Sequence, residues 1–148
     1  MQQVVEEIGL PVFSLQIDKA DCRFKSVEEI VAYFESEIAG HKSARFIATF
    51  NHLKHTSELP EGQLAEGIIA AYNVLFCFGF TLQAPEQLAC RPRSIGICQM
   101  EDQITVSFIE APMPVANAVM EKWANSLMIE HPASTSSPMR PEAKKILS

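Results

Sequence analysis

The chain has 148 residues, 47% of them apolar, which is enough for one domain with a buried core and too many for a disordered polymer. Its formal net charge of −6 argues against nucleic acid as a partner, because neutralising phosphates requires a basic face. No apolar run approaches the ~20 residues of a membrane helix, and the opening Met1-Gln2-Gln3-Val4-Val5-Glu6 lacks the basic-then-apolar pattern of an export signal, so a cytoplasmic protein with no membrane partner is expected.

Val12–Ile17 alternates loosely and stops at Asp18-Lys19, the pattern of a first strand. Ser26-Val27-Glu28-Glu29 then carries a capping box, with a serine at the N-cap and a glutamate three positions on. Val27, Ile30, Val31, Phe34 and Ile38 follow at helical spacing, and Gly40 stands where a C-terminal cap belongs. These signals predict a helix over 26–39. Phe46–Phe50 reads as a second strand, and a β-α-β order this tight admits a parallel crossover. The polar stretch 51–62 reads as a loop, and 63–71 as a short helix weakened by Gly67.

Val74–Leu82 is apolar on both faces, which predicts a central strand, with Gly79 marking a bulge or a close backbone approach. Phe76, Phe78 and Phe80 share one side of it; the run holds no basic residue, so a packed core fits better than an RNA-stacking platform. Ser94–Met100 and Gln103–Ala111 form a hairpin across Glu101-Asp102. In its second strand Ile104, Val106 and Phe108 face one way, and Thr105, Ser107 and Ile109 the other. Pro112 and Pro114 open a last helix striped by Ala116, Val119, Met120, Trp123 and Leu127. From His131 periodicity is lost, and a flexible tail over 131–148 is expected after a single domain over 1–130.

The expected fold class is α+β: one mixed or antiparallel sheet of about five strands, with two long helices on one face. The other face must be covered by the 51–72 excursion or by a second subunit. A homodimer is expected, because the 74–82 strand is apolar on both sides. The cysteines, Cys22, Cys77, Cys90 and Cys98, contain no CxxC pair, so reduced thiols are expected rather than a disulfide framework.

The stretches FIATFNHLKHTSELPEG, LFCFGF, RPRSIGICQMEDQITVSFIEAP and NAVMEKWANSL together resemble the bacterial domain-of-unknown-function family 6858, over roughly residues 10–128. The closing hairpin, proline and helix are also loosely similar to the 302 group of small α+β domains. Neither resemblance implies an activity or a catalytic residue; both imply a compact bacterial domain.

Three constellations carry possible chemistry. His52 and His55 form an HxxH beside Asn51, Thr56 and Glu58. On a helix the two imidazoles share a face, and zinc would need a third ligand from Glu58, Glu61 or a distant cysteine. The plain alternative is a solvated loop whose histidines bond to backbone. Arg91-Pro92-Arg93 places two guanidiniums on a stiff turn, suited to a carboxylate or phosphate, or to an ordinary ion pair. Cys90 precedes Arg91, and a neighbouring cation activates a thiol, although a nucleophile also needs a base.

There is no phosphate-binding glycine loop, nucleophile elbow or dinucleotide fingerprint, and no cofactor or bound metal is expected. The leading reading is therefore a non-enzymatic domain that binds a small anionic ligand or a protein partner, with Arg91, Arg93, His52, His55 and Asn51 lining the site. The alternative is a small metal-assisted enzyme built on His52 and His55. The shared pocket requires the 51–58 loop and the 91–94 turn to lie at the same end of the sheet, which the sequence leaves open.

Overall fold

The computed structural model describes residues 1–5, 7, 9–130 and 144–145. Five strands, β1 (Pro11–Asp18), β2 (Ala44–Asn51), β3 (Ala70–Phe78), β4 (Arg93–Gln99) and β5 (Gln103–Ile109), form one sheet in the order β2-β3-β4-β5-β1, every neighbouring pair antiparallel. Lys144–Lys145 adds two residues of backbone pairing to the outer edge of β1, opposite Pro11 and Val12. The rest of the expected tail, 131–143 and 146–148, lies outside the described residues. β1 and β2 run in the same direction but stand at opposite edges. The first crossover therefore spans the whole sheet, and the last strand of the hairpin closes against β1.

Helix α1 (Val27–Ala39) forms where the capping box predicts: the Glu29 N–H donates to Ser26 Oγ at 3.2 Å, and Glu29 Oε2 takes the Lys25 N–H at 3.2 Å. Gly40 caps it with φ −83°, so no left-handed turn is involved. After β2 comes a short helix, α2 (His52–Glu58), and after the hairpin α3 (Pro114–Asn125).

The sheet is packed from one side. Phe13, Ile17, Val74, Phe76, Phe78, Ile95, Ile97, Ile104, Val106 and Phe108 are all buried with the apolar stripes of α1 and α3 in one cluster. Phe13 and Phe108, directly opposite each other on β1 and β5, stack with ring centroids 4.7 Å apart. The two long helices are tied together where Tyr33 donates from its hydroxyl to the Trp123 carbonyl at 2.9 Å.

Several local expectations are corrected. The polar stretch after β2 is helical rather than a loop, because Asn51 caps it: its Oδ1 accepts the Lys54 N–H at 2.9 Å. No helix forms over 63–71; Gly67 adopts φ +91° in a turn, and β3 begins at Ala70. β3 also ends earlier than 82, at Phe78, because Gly79 takes φ +103° and turns the chain out of the sheet. The apolar Phe80 and Leu82 therefore lie outside the sheet, 80% and 56% exposed. Finally, the β2–β3 register jumps between Phe46 and Ala48, so Ile47 is an extra, exposed residue in a β-bulge.

The core makes the fold depend on α1 more than on its cap. Phe34, with no exposed surface, should cost about 3–5 kcal/mol when replaced by alanine, against about 1 kcal/mol for Ser26→Ala. Urea unfolding of the two variants checks the ratio.

Candidate functional site

The face of the sheet away from α1 and α3 is built from the alternate residues. Strand register aligns Phe50, Asn73, Gly96, Ser107 and Ser14 in a single row across all five strands. The neighbouring positions on this face include Ser94, Thr105 and Gln16. Freed from core packing, the row carries small and polar side chains from Asn73 to Ser14, with Phe50 at its β2 end, and its lowest point is Gly96.

A cavity of about 690 Å³ opens here, over Asn73, Ser94, Gly96 and Ser107. Its walls are Leu10 and Val12 on one side, Pro92 and Arg93 on another, and Ile109, Glu110 and Pro112 at the end of β5. A second hollow of about 240 Å³ lies around the sheet end, against Phe78, Met113 and Ala116 at the start of α3. Asn117 braces the segment between them, with Oδ1 accepting the Ala111 N–H at 2.7 Å and Nδ2 donating to the Ala111 carbonyl at 2.8 Å.

Arg93, Cys90 and Pro112 line both spaces. Arg93 donates through Nη2 to the Ile109 carbonyl, and its Nε–H is buried with no partner among the described residues. Burial pushes its pKa down; the Cys90 thiol partly offsets this, and the nearby Arg91 charge adds to it. Arg91 lines the smaller hollow and donates to the Thr81 carbonyl at 2.5 Å. The two arginines therefore do not form one fork, since each guanidinium is tied to a different backbone carbonyl. Glu110, 8% exposed on the wall of the larger cavity, has a partner of its own.

The histidines come from the other end. Asn51, at the end of β2, pairs with Tyr72, whereas Arg93 pairs with Phe76, four residues on along β3 and about 13 Å away at the usual strand rise. His52 nonetheless reaches the cavity through an intermediary. Its Nδ1 is 2.8 Å from Asn73 Oδ1, and Asn73 Nδ2 donates to Ser94 Oγ at 3.0 Å. Because a carboxamide oxygen only accepts, His52 must be the donor in the first bond. His55 packs behind it: the two rings stand 5.9 Å apart at 88°, and both contact Phe50. No group of three His, Cys, Asp or Glu side chains among the described residues is placed to hold a metal ion, so the pair lacks the third ligand that zinc requires. Asn51 is engaged as the α2 cap.

Of the residues on the cavity floor, Ser94 belongs to the arginine turn expected over 91–94, whereas Asn73, Gly96 and Ser107 are not among the expected site residues. The available signal was the run of small or polar residues at every second position of β4 and β5, with a glycine in mid-strand where a glycine ordinarily weakens pairing.

Fold and site together define a small α+β domain with a cavity on the uncovered face of its sheet. The model of a family of unknown function, DUF6858, matches residues 1–129, and the chain belongs to that family. No curated protein and no solved structure matches it. No helix among the described residues is long and apolar enough to cross a membrane.

The thiols are unequal. Cys77 and Cys90 are exposed, Cys22 is buried, and burial pushes the Cys98 thiol pKa up, which lowers its thiolate fraction at any given pH. Under native conditions a disulfide reagent should titrate Cys77 and Cys90 first, with Cys22 and Cys98 following slowly or on unfolding. Peptide mapping of the labelled protein checks the order.

Proposed function

We propose that the domain is a binding module that takes a small anionic molecule at Arg93, in the wall of the open-face cavity. The observation that carries this reading is the half-enclosed Arg93 guanidinium on the cavity wall, held there by its bond to the Ile109 carbonyl. Burial has stripped this guanidinium of part of its hydration, and an anion in the cavity would supply a counter-charge and charge-assisted hydrogen bonds. The Nη2 bond to the Ile109 carbonyl holds the guanidinium in place, so little ordering remains to be done when a ligand arrives. Ser94 accepts from Asn73 and keeps its own hydroxyl proton for a ligand, and His52 steadies Asn73 from behind. Arg91 lends positive charge from the adjoining hollow. His55 and Asn51 support the site from α2 and do not contact the ligand.

No observation favours the metal-assisted alternative. The open face, with Phe50 and Ile109 39% and 45% exposed, is also where a second copy would pack in a homodimer. Sedimentation should then give a dimer at micromolar concentration, and a monomer throughout would end that part of the proposal.

Chemical-shift titration with acetate and with inorganic phosphate tests the anion site. Resonances around Arg93, Ser94 and Ile109 should move saturably, and Arg93→Gln should weaken binding about tenfold or more, the equivalent of one lost charge-assisted hydrogen bond. No response to any anion, in protein shown to be folded, would refute the reading.

A further inference from the structure

The open-face cavity is larger than a small anion needs. Its volume of about 690 Å³ falls within the ~300–1,000 Å³ of sites that enclose whole organic molecules. Much of its wall is apolar: Leu10, Val12, Pro92, Ile109 and Pro112. The positive charge is at one end, where Arg93 and Cys90 separate it from the smaller hollow that holds Arg91, and Glu110 on the same wall already has an interaction partner of its own.

Gly96 supplies the second argument. A glycine inside a strand loses conformational entropy on folding and gives nothing to packing, so it usually answers a backbone or steric demand. Neither is present here. Gly96 is not among the positive-φ glycines, and an added Cβ would meet only Ser107, at 3.4 Å from Oγ and 3.6 Å from the carbonyl oxygen, close to ordinary contact. What a side chain at this position would remove is the floor of the cavity, which Gly96 lines between Ser94 and Ser107.

We infer that the ligand is an amphipathic monocarboxylic acid, with its carboxylate at the Arg93 junction and its apolar body laid along the open face over Gly96. This rests on the anion reading above and adds the class of molecule. The carboxylate meets the Arg93 guanidinium where it lines the cavity, with the Arg91 charge close by. The hydrocarbon displaces water from the Leu10, Val12 and Ile109 walls, and each buried methylene adds to affinity. Glu86 also lines the smaller hollow but is exposed, where solvent and salt screen its charge.

The test compares octanoate, acetate and octanol by calorimetry and chemical-shift titration on the full chain. Octanoate should bind about tenfold or more tightly than acetate, and more tightly than octanol by a similar factor. Gly96→Val should pull the octanoate-to-acetate ratio toward one. Gly96→Ala, a smaller change that the spacing accommodates, should move it part of the way if the valine variant does not fold. Arg93→Gln should remove the preference of octanoate over octanol. Octanoate binding no better than acetate would overturn this inference and leave the anion site standing. Octanol binding as well as octanoate would overturn the anion site itself. An octanoate affinity unaffected by either Gly96 variant would show that the hydrocarbon lies elsewhere, and the inference would fail.

Discussion

Two helices share one side of a five-stranded sheet, and everything else about the molecule follows from that imbalance. The period-two alternation of the strands sends Phe13, Val74, Phe76, Ile95, Ile97, Val106 and Phe108 to the same side, where α1 and α3 bury them. The core is complete there. The positions between these residues are freed from core packing, and there serine, threonine, asparagine and glycine stand beside a few apolar residues such as Val12, Leu75 and Ile109. A sheet with helices on both faces would have no room for the cavity over Gly96.

The end of the sheet near α3 is where this arrangement becomes chemically asymmetric. β3 leaves the sheet at Gly79, the chain loops through 79–92, and β4 starts with Arg93 already half enclosed. A guanidinium in that position has lost part of its hydration before any ligand is present, which is why its proton affinity falls. Two of its nitrogens meet different fates. One is satisfied by the Ile109 carbonyl at the end of β5, and one has no partner. From the other end of the same face, the His52–Asn73–Ser94 chain runs toward Arg93 and finishes on a serine hydroxyl.

Much of this could be read from the residues. The capping box at Ser26, the α1 and α3 stripes and the hairpin across Glu101-Asp102 are strong local signals, because each is set by near neighbours in the chain. The arginine turn was visible for the same reason, as charge next to a proline. What escaped was non-local or a matter of one residue. α2 is too short to show a repeat, and its capping asparagine looks like any polar loop residue. The extra Ile47 reverses the alternation of β2, placing Phe50 beside Asn73 on the open face and Thr49 opposite Val74, where its hydroxyl is buried without a partner among the described residues. No hydrophobic pattern announces such an insertion. That the histidines approach the cavity from the far end, through Asn73, depended on strand order.

The bulge at Ile47 also bears on how the molecule behaves among its own copies. β2 is an edge strand, and an edge presents a row of backbone donors and acceptors that a second chain can extend. The additional residue disrupts the spacing of that row midway along an eight-residue strand, leaving two short segments out of step with each other. At the opposite edge, the backbone of Lys144–Lys145 already occupies the first two positions of β1. Neither margin offers a long, regular template. The bulge thus works against extension of the β2 edge by a further strand.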